Sequence, residues 1–180
     1  MERIYTKDSA QFLDQEITCA GWVHRIRSLG KVTFLLLRDR TGIIQTVWEE
    51  APEVTLESVV KIRGKVNSNE KAPGGIELQA ASMEILAPAA ADLPIAVNQD
   101  TEKLSIDALL DHRMLSLRNP KIRSIFYLQS DILGYFGDYM RSRDFTEIKS
   151  SKLIGSGSEG GTGLFEVEYF DRKVYLAQSP

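Results

Sequence analysis

The stretch GWVHRIRSLGKVTFLLLRDRTGIIQTVW, Gly21 to Trp48, decides the fold. Its middle part, KVTFLLLRD (31–39), is an apolar run too short for a typical helix, and Gly30 precedes it. RDRTG then supplies the turn chemistry of a short hairpin, with Thr41-Gly42 between two β-prone runs. RTGIIQTVWEE (40–50) is the second of those runs. Upstream, ITCAGWVHRIRS (17–28) alternates in part and reads as the preceding strand.

Working outward, SVVKIRGKVNS (58–68) reads as a fourth strand and GIELQAASMEIL (75–86) as a fifth. The breaker-rich EKAPGG lies between them. Five β runs within about 70 residues, with one longer gap after the third, suggest a small Greek-key barrel of the OB type. A β-sandwich is the main competitor, but usually needs more strands.

Ala87–Asp100, APAAADLPIAVNQD, is rich in Ala and Pro and poor in charge. It reads as an inter-domain connector. Beyond it the period changes. Ile122, Ile125, Phe126, Ile132, Leu133, Phe136, Tyr139 and Met140 step by threes and fours. An amphipathic helix is expected from Pro120 to about Arg143, with Asn119 as N-cap. DFTEIKS then reads as a short strand, and LFEVEYFDRKVYLAQSP as a hairpin turning at FDRK.

The chain has 180 residues and a net charge of −3, so bulk charge does not point to nucleic acid. The opening stretch does: Arg25, Arg27, Lys31, Arg38 and Arg40 stand against Asp39 alone, a net +4. A basic surface carrying aromatics suits single-stranded nucleic acid, and a solvated strand face is the plainer reading. Within the all-apolar strand, Val32, Phe34 and Leu36 share one face. Periodicity leaves open whether Phe34 is a stacking platform or core, and whether Gln45 reads a base or merely points outward. Trp22 and Trp48 read as core anchors. The single cysteine, Cys19, excludes an internal disulfide and a cysteine zinc site. His24 and His112 are too far apart for metal-ligand spacing. No apolar run is long enough to cross a membrane, and the N-terminus lacks an apolar signal core. A cytoplasmic protein is expected.

GSGSEGGTGLF (155–165) matches G-x-G-x-x-G literally, but no helix follows and no lysine is present, so a phosphate loop is rejected. Spacing leaves two readings: a solvated surface loop, or a lid whose Glu159 meets a cationic group such as an ammonium. Asp111, His112 and Arg113 read as a salt-bridged approach to a helix rather than as an acid-base cluster.

In order, these segments resemble one family. GWVHRIRSLGKVTFLLLRDRTGIIQTVW is similar to the N-terminal anticodon-binding OB domain of class IIb aminoacyl-tRNA synthetases. HRMLSLRNPKIRSIFYLQSDIL with FTEI resembles the start of their catalytic domain and motif 1. SEGGTGLFEVEYFDRKVYLAQSP resembles the segment that follows in aspartyl-tRNA synthetases of the archaeal and eukaryotic type.

The resemblance implies an α+β chain. Residues 1–88 would be the five-stranded OB-fold barrel, 89–112 a hinge, and 113–180 the start of the class II antiparallel-sheet catalytic domain. It implies that Phe34 stacks on an anticodon base and Gln45 reads the central uridine, with Arg27 and Glu77 as further anticodon contacts. Glu159 would sense the α-ammonium of aspartate, and Ser179 would stand at the rim of the amino-acid pocket. His24 and Pro73 would set tRNA specificity, in a nondiscriminating enzyme that charges both tRNA-Asp and tRNA-Asn. The motif 1 region would build a homodimer. Two positions depart from the family pattern: Ser151, where motif 1 carries a proline, and Gly163, where a glutamate is usual.

The implied activity is that of an aspartate–tRNA ligase. Aspartate attacks ATP to give aspartyl-adenylate, Mg²⁺ bridges the phosphates, and the tRNA ribose hydroxyl takes the aspartyl group. The arginines of motifs 2 and 3 and all binding residues for ATP and Mg²⁺ are expected beyond Pro180. No catalytic or metal-binding residue is therefore assigned here, and these 180 residues alone are expected to be inactive. The asparaginyl enzyme, and a truncated OB-fold module that binds tRNA without catalysis, are the alternatives.

Overall fold

The computed structural model describes residues 2–50, 53–100, 103–156 and 163–177. The chain divides into two compact units, Met1–Ser124 and Ile125–Pro180. The first contains strands β1 (Glu16–Leu29), β2 (Val32–Arg38), β3 (Ile43–Trp48), β4 (Val59–Ser68) and β5 (Ile76–Ala87). They close into a barrel in the order β1-β2-β3-β5-β4. All neighbours run antiparallel except β3 and β5, which are parallel. A sheet that closes on itself is a barrel and not a sandwich, so the OB-type reading holds.

Alternation fills the interior, because neighbouring strand residues point to opposite faces. Leu35 and Leu37 of β2, Ile44 of β3, Val60, Ile62 and Val66 of β4 and Leu78 of β5 are all fully buried. At Gly21 and Gly64 another strand's carbonyl lies so close that an added Cβ would stand 2.3 Å from the oxygen of Arg38 or of Gln79. Glycine is required there by space.

The β2–β3 link is an Asx turn, in which a side-chain carboxylate caps its own turn. Asp39 Oδ1 accepts from the amides of Thr41 (2.7 Å) and Gly42 (3.1 Å). Its Oδ2 accepts from the amide of Thr6 at 2.8 Å. This bond ties the turn to a 3-10 helix, Thr6–Phe12, whose polar sequence gave no hint of structure. Burial alone would raise the Asp39 pKa, but the hydrogen bonds from Thr41 and Thr6 outweigh it and hold the carboxyl below its ordinary value.

Trp48 is buried as expected, its indole N–H donating to Thr46 Oγ1 at 2.8 Å. Trp22 differs. It is only half-buried, with the guanidiniums of Arg38 and Arg118 at 5.7 and 5.5 Å from its ring. Its neighbours Gly21 and Val23 take the interior places instead.

The Ala/Pro-rich connector is anchored on this unit, with Ile95 and Val97 buried. Two short helices follow, α1 (Ile106–Asp111) and α2 (Arg113–Ser116). Neither was expected, since each has under two turns and too few residues to display a period. Ser105 caps α1, and Asp111, His112 and Arg113 occupy the junction between the two helices. Helix α3 (Pro120–Arg141) begins where predicted. Asn119 Oδ1 accepts from the amide of Lys121 at 2.9 Å, the expected N-cap.

In the second unit, β6 (Leu153–Ile154), β7 (Glu166–Tyr169) and β8 (Arg172–Leu176) form an antiparallel sheet in the order β6-β8-β7. The β7–β8 hairpin turns at Phe170-Asp171, with Phe170 at φ 54°. The strand expected over DFTEIKS does not form. Residues 145–150 pair with no strand among the described residues, and Phe145 and Ile148 stand exposed. β propensity without a partner strand does not make a strand.

Candidate nucleic-acid interface

The outer face of β2 answers the question that periodicity left open. Thr33, Leu35 and Leu37 are buried, so Val32, Phe34 and Leu36 lie on the outside, each half-buried. Phe34 is not core. Opposite it on β1 stands Arg27, with its guanidinium 5.8 Å from the centre of the Phe34 ring. Opposite Leu36 on β3 stands Gln45, which in turn pairs with Glu77 on β5. Four adjacent strands thus carry one polar and aromatic row around the barrel wall.

A cleft of about 170 Å³ opens on this row, lined by Arg27, Phe34, Leu36 and Gln45. Its remaining walls are Arg25, Lys71 and Pro73. Gln45 is only 7% exposed, at the floor. Its Nε2 donates to Glu77 Oε2 at 3.0 Å, which leaves the amide carbonyl directed elsewhere. Asn69 Nδ2 donates to the same Glu77 oxygen at 2.7 Å, and Asn69 Oδ1 accepts from the Lys71 amide at 3.0 Å. The Glu77 carboxylate therefore orients the Gln45 amide and pins the loop that carries Lys71 and Pro73. That loop turns through Gly74 (φ 77°) and Gly75 (φ 75°), a backbone region that favours glycine.

The basic stretch is divided by the fold. Arg25 and Arg27 are exposed at the cleft. Arg38 is buried in an ion pair with Glu57, and Arg40 lies over the Tyr5 ring at 4.6 Å. Two of the five cations therefore face the cleft. Exposed cations beside an outward-facing, half-buried aromatic and a fixed amide can hold phosphate, stack a base and read a base edge.

Of the expected residues, Arg27, Phe34, Gln45 and Pro73 meet in the cleft, and Glu77 supports it from behind. His24 does not line it. Its Nδ1 lies 2.9 Å from Arg38 Nη1, and its backbone carbonyl accepts from Asn98 at 2.8 Å. Burial, followed by the charge of Arg38, lowers its pKa, so the imidazole stays neutral. Glu159 and Ser179 lie outside the described residues. Ser151 Oγ donates to the carbonyl of Leu153 at 2.5 Å, and Gly163 has open space where a Cβ would stand. Asn69 and Lys71 were missed, and Arg25 was read only as part of the basic stretch. Its two-residue spacing from Arg27 on a strand places both on one face. Among the described residues no three His, Cys, Asp or Glu side chains gather to hold a metal, and no helix is long and apolar enough to cross a membrane.

Residues 17–86 match the family of OB-fold nucleic acid binding domains, and residues 105–180 match the class II tRNA synthetases (D, K and N). The chain thus combines an OB-fold nucleic acid binding domain with a class II tRNA synthetase segment. Within that class it is similar along its length to the Aspartate–tRNA(Asp/Asn) ligases. It is 40% identical to that of Thermus thermophilus over 178 residues, 99% of this chain and 42% of the relative. It is 38% identical to that of Archaeoglobus fulgidus over 191 residues, 99% of this chain and 44% of the relative. The chain thus spans about two fifths of the length of these curated relatives. Among solved structures it superposes on asparaginyl-tRNA synthetase from Pyrococcus horikoshii complexed with asparaginyl-adenylate (TM-score 0.86, 29% identity, 99% of this chain and 43% of that one). A putative aspartyl-tRNA synthetase from Leishmania major gives the same TM-score of 0.86 at 26% identity, covering 99% of this chain and 39% of that one.

Proposed function

We propose that this chain is the anticodon-binding and motif 1 portion of a cytoplasmic aspartate–tRNA ligase. Residues 1–88 would hold the anticodon, 89–112 would form the hinge, and 113–180 would begin the catalytic domain. The observation that carries the reading is the cleft itself: Phe34, Arg27 and Gln45 converge on one barrel face, in a chain about 40% identical to Aspartate–tRNA(Asp/Asn) ligases. Phe34 stacks an anticodon base. Gln45, held by Glu77, offers its carbonyl to the N–H edge of the central uridine. Arg27 meets the RNA backbone.

On the amino-acid side, Glu159 would answer the ammonium of aspartate and Ser179 would stand at the pocket rim, both by family resemblance. A nondiscriminating enzyme that charges tRNA-Asp and tRNA-Asn follows from the same resemblance. Pro73 would act in the cleft directly, and His24 through β1. The family implies ATP and Mg²⁺. No described cluster suits the cation, so no step is assigned to it on these residues. The motif 1 region would pair two copies.

Binding of an anticodon stem-loop with a central uridine tests the reading. Phe34→Ala should weaken it by about 1–3 kcal/mol, the worth of one stacked base. Unchanged affinity would remove Phe34 as the platform. The likeness to the Pyrococcus horikoshii enzyme favours an asparaginyl enzyme as second reading. Amino-acid-dependent pyrophosphate exchange with aspartate and with asparagine separates the two.

A further inference from the structure

Glu57, in the turn before β4, is an unusual residue to bury. It is 5% exposed and has φ 65°, a left-handed conformation that non-glycine residues seldom adopt. Its amide is held by the Val23 carbonyl at 2.7 Å. Its Oε2 accepts from Arg38 Nη2 and from Arg118 Nη1, both at 2.8 Å. Its Oε1 is buried with no hydrogen-bond partner. A strained, half-satisfied buried carboxylate is a poor stabilising device, since apolar residues of similar volume serve a core as well or better.

What the carboxylate does accomplish is a connection. Arg38 belongs to β2, while Arg118 lies 61 positions from Glu57, beside the cap of α3. Trp22 has a guanidinium from each within 6 Å of its ring. The same strip is stitched further along. Asn98 donates to the His24 carbonyl at 2.8 Å, and Asn119 donates to the carbonyls of Val97 (3.0 Å) and Gln99 (3.1 Å) while capping α3. At its other end Arg25, a wall of the cleft, donates to the Asn98 carbonyl at 3.5 Å. These hydrogen bonds, joined through the backbone of residues 97–99, link the cleft to the first turn of α3.

We propose that Glu57 and Arg118 are positioning residues, forming a buried ionic lock that sets the start of α3 in register with the cleft wall. RNA held in the cleft is then presented on a wall fixed to the first turn of α3. The role in presentation rests on the anticodon reading above; the lock itself does not.

The test compares Arg118→Met, Arg118→Lys and Phe34→Ala in the intact protein. Arg118 is partly exposed, at 32%, so its replacement leaves the barrel core intact. Arg118→Met should keep stem-loop affinity and aspartate-dependent pyrophosphate exchange near wild type. It should lower kcat for charging whole tRNA roughly tenfold at unchanged KM, the expected result of misplacement rather than lost binding. Amide exchange over residues 117–121 should quicken, and Arg118→Lys should restore part of both. Unchanged kcat, equal losses in pyrophosphate exchange and charging, or no rescue by lysine would each overturn the positioning role. If Phe34→Ala leaves stem-loop affinity intact, the anticodon reading fails on its own. The lock is then judged by exchange at 117–121, and wild-type rates there in Arg118→Met overturn it.

Discussion

The two units solve the problem of burying apolar surface in different ways. The barrel closes on itself, and its core of Ile17, Val23, Leu35, Leu37, Ile44, Ile62, Leu78 and their neighbours comes from its own five strands. Helix α3 has no buried residue. Ile132, Leu133, Tyr135 and Phe136 are each more than half exposed, and Phe145, Ile148 and Phe165 join them. Val174 is the one apolar residue of the described second unit that is buried. Closure makes a barrel self-sufficient, because every strand edge finds a partner within it. A three-stranded sheet and one helix cannot cover one another, and an apolar surface of this extent asks for another polypeptide surface. The difference teaches that a closed barrel can be complete where the second unit depends on cover.

The largest expected effect is on the units taken separately. Residues 1–124 should unfold cooperatively in urea, whereas residues 125–180 should show no transition. A cooperative transition in the second fragment would break the comparison. Within the intact chain, Leu35→Ala should cost about 4 kcal/mol, since the buried site is left as a cavity. Leu133→Ala, at a side chain 65% exposed, should stay within about 0.5 kcal/mol in chemical denaturation. Equal costs would mean the helix face is already covered.

Asp39→Asn sharpens the barrel side. It should cost roughly 2 kcal/mol at neutral pH, because a carboxylate accepting several hydrogen bonds is lost. The folded pKa of Asp39 lies below its unfolded value. Its stabilisation is therefore fully present above the ordinary carboxylate range and disappears as pH falls through the lowered value. The stability curves of wild type and variant should converge in acid; a gap that stays constant with pH would assign the effect elsewhere.

Much of the barrel was legible because alternation and turn chemistry are local. ITCAGWVHRIRS alternates in part, KVTFLLLRD is an apolar run too short for a helix, and RDRTG carries its own turn, so β1, β2 and β3 were located within a few residues. Helix α3 was legible through its steps of three and four and the Asn119-Pro120 start. DFTEIKS misled because a strand is a pairing, and its partner cannot be read from seven residues. Trp22 misled because a large aromatic also suits a half-buried shelf beneath guanidiniums. The cleft was legible only in pieces: Phe34 and Gln45 were candidates, and Asn69 and Lys71 were invisible.

By itself the sequence determined the strand periods, the turns, the helix and the family likeness, all of which depend on residues near one another in the chain or on pattern. Tertiary structure alone decided that Phe34 faces outward, since the polar residues of β2, Thr33 and Arg38, are themselves buried and do not mark its wet side. It alone decided that Arg38 is withdrawn from the basic face while Arg25 and Arg27 remain there. It alone joined Glu57 to Arg118 across 61 positions. Ion pairing and side-chain direction are set by distances in space, and these appear only once the barrel closes.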